Sequence, residues 1–204
     1  MLKAWRGTTR NGLVIQSLLD GLERAGLTIV PFYLTRERPE VIPAAGTESD
    51  EVTFAWVGFD ELQTLGDRPG GRYDLAGMQR LLDAGMRCFA ASVHGRIAAF
   101  MWCDLKRTRY RTLSFPLERE EVYFFNTWVL PAYRGRGFPV RLRRECFRAL
   151  AAEGRTRAWS ITLRFKTPAR RFKRQVGAHH AALYLALGIG RFSRHVRLRR
   201  YRRG

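Results

Sequence analysis

The chain has 204 residues, enough for one domain with a substantial core, and 46% of them are hydrophobic. This composition excludes a disordered chain, a collagen-like repeat and a small disulfide-stabilised domain, and no apolar run is long enough to cross a bilayer. The net charge of +19 lies in the second half: residues 1–100 contain 11 Lys and Arg against 12 Asp and Glu, and residues 101–204 contain 26 against 6. Such a basic half predicts an anionic partner, namely phosphate groups, nucleic acid or an acidic membrane surface.

The cysteines, the histidines and the first residues bear on redox state, metal binding and compartment. The cysteines are odd in number and widely spaced, which predicts buried reduced thiols rather than a disulfide framework or a zinc cluster; they are Cys88, Cys103 and Cys146. His179 and His180 would face opposite sides of a strand, so we expect no metal site there. Residues 1–6 are not followed by the apolar core of a signal peptide, which predicts a cytoplasmic protein.

The first half of the chain is predicted to alternate helices and strands. Capping residues and apolar stripes predict helices over 11–25, 60–65 and 74–84, the second of them capped by Asp60. Runs of β-forming residues predict strands over 28–35, 51–59, 88–93 and 96–104, with 36–50 as a surface loop. The last two strands are separated by His94-Gly95, which is typical of a two-residue hairpin turn.

The second half predicts a β–α–β–α–β order. Its strands are expected over 122–130, 157–163, 181–187 and 192–198, and its helices over 138–153 and 167–177, the latter capped by Thr167. In the first of these helices the inward stripe is Phe138, Leu142, Cys146 and Leu150, whereas Arg141, Arg143, Arg144 and Arg148 fall off that stripe. Since 122–130 has aromatic residues on both faces, it is predicted to be a central strand. The order implies a single α/β (α+β) domain with a twisted mixed sheet and helices on both faces.

The segment 129–139, Val-Leu-Pro-Ala-Tyr-Arg-Gly-Arg-Gly-Phe-Pro, is the stretch most indicative of chemistry. A strand ends, a turn rich in Gly and Arg follows, and a helix begins. The start of a helix leaves backbone N–H groups without partners and carries the positive end of the helix dipole. Because glycines let the backbone approach an anion closely, this segment predicts a pyrophosphate cradle, to which Arg134 and Arg136 add charged donors.

This segment resembles the coenzyme A-binding signature of the GNAT acyltransferase superfamily, Arg/Gln-x-x-Gly-x-Gly/Ala after a strand that ends in Val-x-Pro. Arg134 matches the first position and Gly137 the fourth, and Pro139 departs from the usual Gly or Ala. The resemblance implies that Trp128, Val129 and Leu130 line the pantetheine arm of an acyl-CoA. It also implies a pyrophosphate site formed by the N–H groups of Gly135, Arg136, Gly137 and Phe138.

A second stretch, 167–178, resembles a later helix of the same family, which reads Asn-Pro-Ala-Ser…Phe-Tyr-x-x-x-Gly-Phe. Thr167, implied to lie at the coenzyme site, replaces the Asn, and Lys173 stands where many members carry a Tyr that protonates the leaving thiolate. Tyr184 is an alternative proton donor, four residues before Gly188. The strand 122–130 contains no acid. The nearest carboxylates are Glu120 and Glu121 at its start and Asp104 at the end of the hairpin, of which Glu121 is the candidate base, while Asn126 and Thr127 could only orient a water.

By this resemblance the chain is an acyl-CoA-dependent N-acyltransferase, acetyl-CoA being the expected donor, that needs no metal. An amine acceptor would attack directly where the sheet opens at Val129. Residues 1–74 would form an atypical N-terminal part, 75–190 the acyl-CoA-binding core, and 191–204, with seven Arg, a basic strand and tail. The alternative is a nucleic-acid- or anionic-surface-binding protein on a degenerate fold of the same type. The basic half favours an anionic acceptor.

Overall fold

The computed structural model describes residues 13–38, 52–66 and 74–201. The strands in this part of the chain are β1 (Leu27–Glu37), β2 (Val52–Val57), β3 (Arg87–Val93), β4 (Arg96–Asp104), β5 (Arg107–Tyr110), β6 (Leu113–Pro116), β7 (Glu121–Val129), β8 (Arg157–Leu163), β9 (His179–Ile189) and β10 (Phe192–Arg200). The helices are α1 (Leu13–Arg24), α2 (Phe59–Gln63), α3 (Leu75–Asp83), α4 (Phe138–Ala152) and α5 (Thr167–Gln175). A single 3₁₀ turn, Pro131–Tyr133, lies between β7 and α4.

Eight of these strands form one mixed sheet in the order β10-β9-β1-β8-β7-β4-β3-β2, and β5 and β6 form a separate hairpin. Within the described strands, β7 and β8 are the one parallel pair, joined by the crossover helix α4. The predicted single-domain α/β fold with a mixed sheet is therefore confirmed.

Helices cover both faces of the sheet. Successive side chains of each strand point to opposite faces, so that apolar side chains on both faces pack against helices. The α4 stripe packs against one face, and the predicted inward residues Phe138, Leu142, Cys146 and Leu150 are all buried there. Leu62 of α2 and Met78 of α3 pack on the other face. All three cysteines are buried and free, as predicted.

The sheet splits between its two central strands. β7 and β8 pair from Glu121 and Arg157 as far as Phe124 and Ser160, and beyond these residues the two strands separate. In the same part of β7 the pairing with β4 has an irregularity, where Asn126 adopts a φ of 49°. The predicted opening at Val129 is therefore placed too late, because the strands already part after Phe124.

Two charged residues that were predicted to lie at the surface, Glu37 and Arg143, are buried. β1 continues to Glu37, because it pairs on both sides, with β8 and β9, beyond residue 35. Arg143 of α4 is buried with an exposed fraction of 1%, although it was placed off the inward stripe. In both cases the buried charge has partners on distant elements, which a local pattern cannot indicate.

Further differences concern short elements and caps. α2 begins at Phe59 after Gly58, whose N–H donates to Glu61 at 2.9 Å, so Asp60 is not the cap. α5 begins at Thr167 itself, with Lys166 before it. The β5–β6 hairpin was not predicted because it has only four residues per strand; it covers the second face of the sheet through Leu113.

The exposed surface has two notable elements at one end of the sheet. β10 is the edge strand, and almost all of its side chains are exposed. α1 likewise exposes apolar residues, among them Leu18 at 64%. No helix in the described ranges combines the length and the apolar character needed to span a membrane.

Candidate active site

A cleft of about 540 Å³ opens where β7 and β8 part. It passes through the sheet, so its walls come from both faces. On the face covered by α4 and α5 it is lined by Pro139, Arg143, Phe172 and Lys173, and on the other face by Met78, Arg109, Tyr110 and Phe125. A cleft of this kind can admit one reactant from each side of the sheet.

The turn that precedes α4 lies at the rim of this cleft, next to Pro139. Gly135 and Gly137 have φ values of 80° and 74°, which favour glycine, and Gly137 is the N-cap of the helix. None of the hydrogen bonds in the described chain uses the amides of residues 135–138 as donors. A Cβ built on either glycine would meet nothing within 4 Å. The turn therefore has four N–H groups without a hydrogen-bond partner at the positive end of a helix dipole, with open space beside its two glycines, as an anion-binding site requires.

Two exposed arginines flank the turn. Arg134 Nε donates to the Val129 carbonyl at 3.3 Å, and its guanidinium lies 5.5 Å from the Trp128 ring. The Arg136 guanidinium lies 5.7 Å from the Tyr133 ring. Both charges can add to the attraction of the free amides for an anion. Pro139, the second residue of α4, contributes no N–H group.

A buried charged cluster forms part of the cleft wall on the α4 and α5 face. Lys173 Nζ donates to Glu37 Oε1 and to Ser160 Oγ, both at 2.6 Å. Ser160 Oγ in turn donates to Glu37 Oε1 at 2.6 Å. Arg143 Nη1 lies 3.3 Å from Glu37 Oε2. We call Glu37, Arg143, Ser160 and Lys173 the buried cluster.

The buried cluster shifts the ionisation of its members. Burial raises the pKa of Glu37, but the charges of Arg143 and Lys173 outweigh burial and hold it below its usual range. Burial lowers the pKa of Lys173 to about 8, against the opposing effect of Glu37. Burial also lowers the pKa of Arg143, although a guanidinium stays protonated at neutral pH. Glu37 is therefore ionised at neutral pH, and Lys173 can give up a proton near it.

A model of the acetyltransferase (GNAT) family matches residues 52–178 of the chain. The chain belongs to this family. A search of curated proteins finds no match.

Solved structures show the same fold. They include a GCN5-related N-acetyltransferase from Kribbella flavida (TM-score 0.55, 20% identity, covering 82% of this chain and 62% of that one). Another is a GCN5-related N-acetyltransferase from Sphaerobacter thermophilus (TM-score 0.56, 15% identity, covering 89% and 57%). A third is a conserved protein of unknown function from Staphylococcus epidermidis (TM-score 0.56, 12% identity, covering 82% and 64%). The chain thus spans less than two thirds of the length of each of these three structures.

The residues that the sequence nominated for coenzyme binding lie together in this GNAT fold. Trp128, Val129 and Pro139 line the cleft, and residues 134–138 form the adjoining turn. Leu130 follows β7, and its N–H donates to the Ala98 carbonyl at 2.9 Å. Thr167 opens α5, next to the cleft-lining Pro168. The two predicted motifs thus border one cleft, although coenzyme binding by these residues stays a prediction.

The three nominated catalytic residues are separated. Lys173 lines the cleft within the buried cluster. Glu121 begins β7, about 26 Å along the strand from Val129, and lies 3.5 Å from Arg36 in an ion pair. Tyr184 lies on β9, stacked on Phe32 at 5.5 Å, and does not contribute to the cleft wall. Of the three, Lys173 alone lies where a reacting group in the cleft could meet it.

Sequence reasoning missed Glu37, Arg143 and Ser160. Glu37 had been assigned to a loop, and Arg143 resembled the solvated arginines around it. One available signal was Ser160, a small polar residue inside a strand whose alternate residues, such as Ala158, are buried.

In the described residues no group of His, Cys, Asp and Glu could hold a metal ion. His180, one of the two adjacent histidines, stacks on the ring of Tyr33, with 4.0 Å between the ring centroids.

The lowered pKa of Lys173 predicts how stability depends on pH. Between about pH 8 and 10.5 the unfolded chain keeps a proton on Lys173 that the folded chain has released. Stability from this residue therefore rises with pH in that window, by at most about 1.4 kcal/mol per unit. In urea denaturation, the unfolding free energy of the wild type minus that of Lys173→Met should increase from pH 7.5 to 10. A difference that stays flat or shrinks would contradict the lowered pKa.

Proposed function

We propose that the protein is an acyl-CoA-dependent N-acyltransferase that moves an acetyl or other short acyl group from coenzyme A to an amine. One observation carries the proposal: four amides without a hydrogen-bond partner lie in the turn before α4, which has open space beside its glycines and adjoins a cleft through the sheet. We also propose that it acts in the cytoplasm, in keeping with its three buried free thiols. The excess of basic residues after residue 100 favours an anionic acceptor.

The residues at the cleft fit such a donor. The diphosphate would be held by the N–H groups of residues 135–138, flanked by the exposed Arg134 and Arg136. Trp128 and Val129, on the adjoining end of β7, would line the pantetheine arm. The unpaired end of β7 offers backbone groups for an extended ligand, because its partner β8 has moved away.

The bound thioester supplies an activated acyl carbon: the amine nitrogen attacks it, the C–S bond breaks, and its electron pair leaves on sulfur. The amine must lose a proton and the thiolate must gain one. Lys173 would give that proton, because its pKa of about 8 lies close to the value of about 8.5 of an ordinary thiol. Asn126 and Thr127 line the cleft and would orient a water that accepts the proton of the amine.

Isothermal titration with acetyl-CoA tests the proposal. We expect binding with a micromolar dissociation constant, and N-acylated products detectable by mass spectrometry when a panel of primary amines is added. No binding at high micromolar acetyl-CoA would refute the donor site, and binding without acyl transfer to any amine would refute the reaction.

A second candidate function rests on β10. Arg194, Arg197, Arg199 and Arg200 are all exposed along this edge strand, which suits an anionic surface such as nucleic acid. The titration separates the two candidates. No affinity for acetyl-CoA, together with salt-sensitive affinity for a nucleic acid, would favour this second function.

A further inference from the structure

The buried cluster has more positive than negative charge. Glu37 contributes one carboxylate, whereas Arg143 and Lys173 contribute two cations, and all three residues have exposed fractions of 6% or less. Within the described residues, both cations form their salt bridge with the same partner, Glu37. One positive charge is therefore left without an acidic partner beside the cleft, although burial of a charge without one is costly.

The surplus charge belongs most directly to Arg143. Its Nε and Nη1 atoms are buried and form no hydrogen bond. Nη1 lies 3.3 Å from Glu37 Oε2, which also has no hydrogen-bond partner, so this contact is an ion pair and Nε has no polar neighbour of its own. The guanidinium lies over the Phe124 ring at 4.0 Å and near the Phe172 ring at 5.5 Å. These rings cover its faces, so its N–H groups are what it can offer to a ligand.

A second residue on the same wall also has an unsatisfied polar atom. Thr162 lines the cleft, and its Oγ1 is buried without a hydrogen-bond partner. Thr162 and Ser160 are two residues apart on β8, so both point to the face that carries α4 and α5. Buried polar atoms without partners are uncommon in folded proteins, and their presence on two residues of one cleft wall indicates a polar group supplied from outside.

The face of the sheet on which Arg143 and Thr162 lie indicates which reactant would supply this polar group. The cradle at the start of α4 and the buried cluster both lie on the face covered by α4 and α5. The opposite face of the cleft has its own lining, including Met78 and Tyr110, through which an acceptor could enter. A group bound to Arg143 and Thr162 would thus belong to the donor, which is held at the cradle.

We propose that Arg143 and Thr162 bind a carboxylate at the end of the acyl group, so that the preferred donor is a dicarboxylic acyl-CoA such as succinyl-CoA. This inference rests on the proposed acyl-CoA-dependent function. A carboxylate would supply the missing negative charge and accept hydrogen bonds from both residues, which an acetyl group cannot do. The thioester bond and its cleavage are the same for either acyl group.

Isothermal titration with matched acyl-CoA molecules tests this inference. Succinyl-CoA is compared with 4-methylpentanoyl-CoA, whose branched end has nearly the shape of the carboxylate but no charge. We expect succinyl-CoA to bind at least about tenfold more tightly. In Arg143→Met, which removes the charge but keeps much of the length, the ratio of the two dissociation constants should fall towards one. Arg148→Met is the control, because Arg148 lies on the same helix but is exposed, and here the ratio should stay as in the wild type.

Each outcome decides either whether Arg143 and Thr162 bind a carboxylate or whether the protein binds an acyl-CoA at all. If the two ligands bind the wild type equally, the carboxylate site is refuted while the acyl-CoA site stands. If Arg143→Met weakens both ligands by the same factor, Arg143 contacts the coenzyme rather than the acyl end, and the inference is also refuted. If neither ligand binds the wild type although acetyl-CoA does, the carboxylate site is refuted and the acyl-CoA site stands; if acetyl-CoA does not bind either, the proposed function fails with it. The comparison on the wild type decides the matter even if Arg143→Met does not fold.

Discussion

Gly137→Glu is expected to raise the dissociation constant for acetyl-CoA by about 100-fold or more. Gly137 is the N-cap of α4, and its N–H is one of the four free amides of the turn. The new side chain would enter the open space beside these amides and place a carboxylate where the diphosphate must lie. Repulsion between like charges and loss of access then act together, since the site depends on unobstructed backbone donors. Isothermal titration measures the effect.

The matched control for this substitution is Gly154→Glu. Gly154 follows the other end of α4, has a φ of 79°, and also has nothing within 4 Å of a built Cβ. Both substitutions strain the backbone by roughly 1–2 kcal/mol and change the net charge equally. Only the substitution at 137 should weaken binding. Equal binding by the two variants would mean that the turn before α4 does not hold the diphosphate.

Glu37→Gln is expected to lower the free energy of unfolding by about 3–5 kcal/mol. Glu37 is fully buried and is the shared partner of Lys173 at 2.6 Å and of Arg143 at 3.3 Å. Its removal leaves two buried cations beside each other, and the loss of one partner from a buried ion pair typically costs this much. Equilibrium denaturation with urea at pH 7 measures the change.

Two further variants separate the buried charge from a general effect of losing a carboxylate. Glu153→Gln removes the partner of Arg87 at a more exposed site and should cost less than about 1 kcal/mol. Adding Lys173→Met to Glu37→Gln removes one of the stranded cations and should restore part of the loss. A loss below about 1 kcal/mol in Glu37→Gln, or no recovery in the double variant, would show that the cluster does not stabilise the fold as an ion network.

The elements that sequence alone predicted well are those with a strong local pattern. β8 has the predicted bounds, and α4 differs by one residue, because alternating burial and an apolar stripe are written in consecutive residues. The turn before α4 was equally legible: its glycines have the positive φ values that this geometry requires. Local physics thus sufficed for most of the GNAT fold and for the candidate cradle.

The buried cluster could not be predicted in this way. Glu37 and Lys173 are 136 positions apart, and Glu37 and Ser160 are 123 apart, so no spacing rule relates them. Glu37 stands among Arg36, Arg38 and two prolines, a composition typical of a loop. Its burial follows from β1 being held between β8 and β9, which is a property of the assembled sheet.

An opening of the sheet along β7 was predicted, but at Val129 rather than after Phe124, where the pairing between β7 and β8 ends. Where two parallel strands stop pairing depends on what lies between and around them, including the irregularity at Asn126. The strand itself reads as continuous from residue 122 to 130. The position of the opening therefore depends on tertiary packing, even though each strand can be predicted from its local sequence.

The edge strand β10 has a consequence for how the protein behaves at high concentration. A β-strand with one free side can recruit the same strand of another molecule, and repetition of that step leads to fibrous aggregates. In β10 the exposed Phe192, Val196 and Leu198 would favour such growth. The arginines between them oppose it, since two copies brought edge to edge would repel each other. The basic end of this chain thus keeps the molecules apart, whatever else it binds.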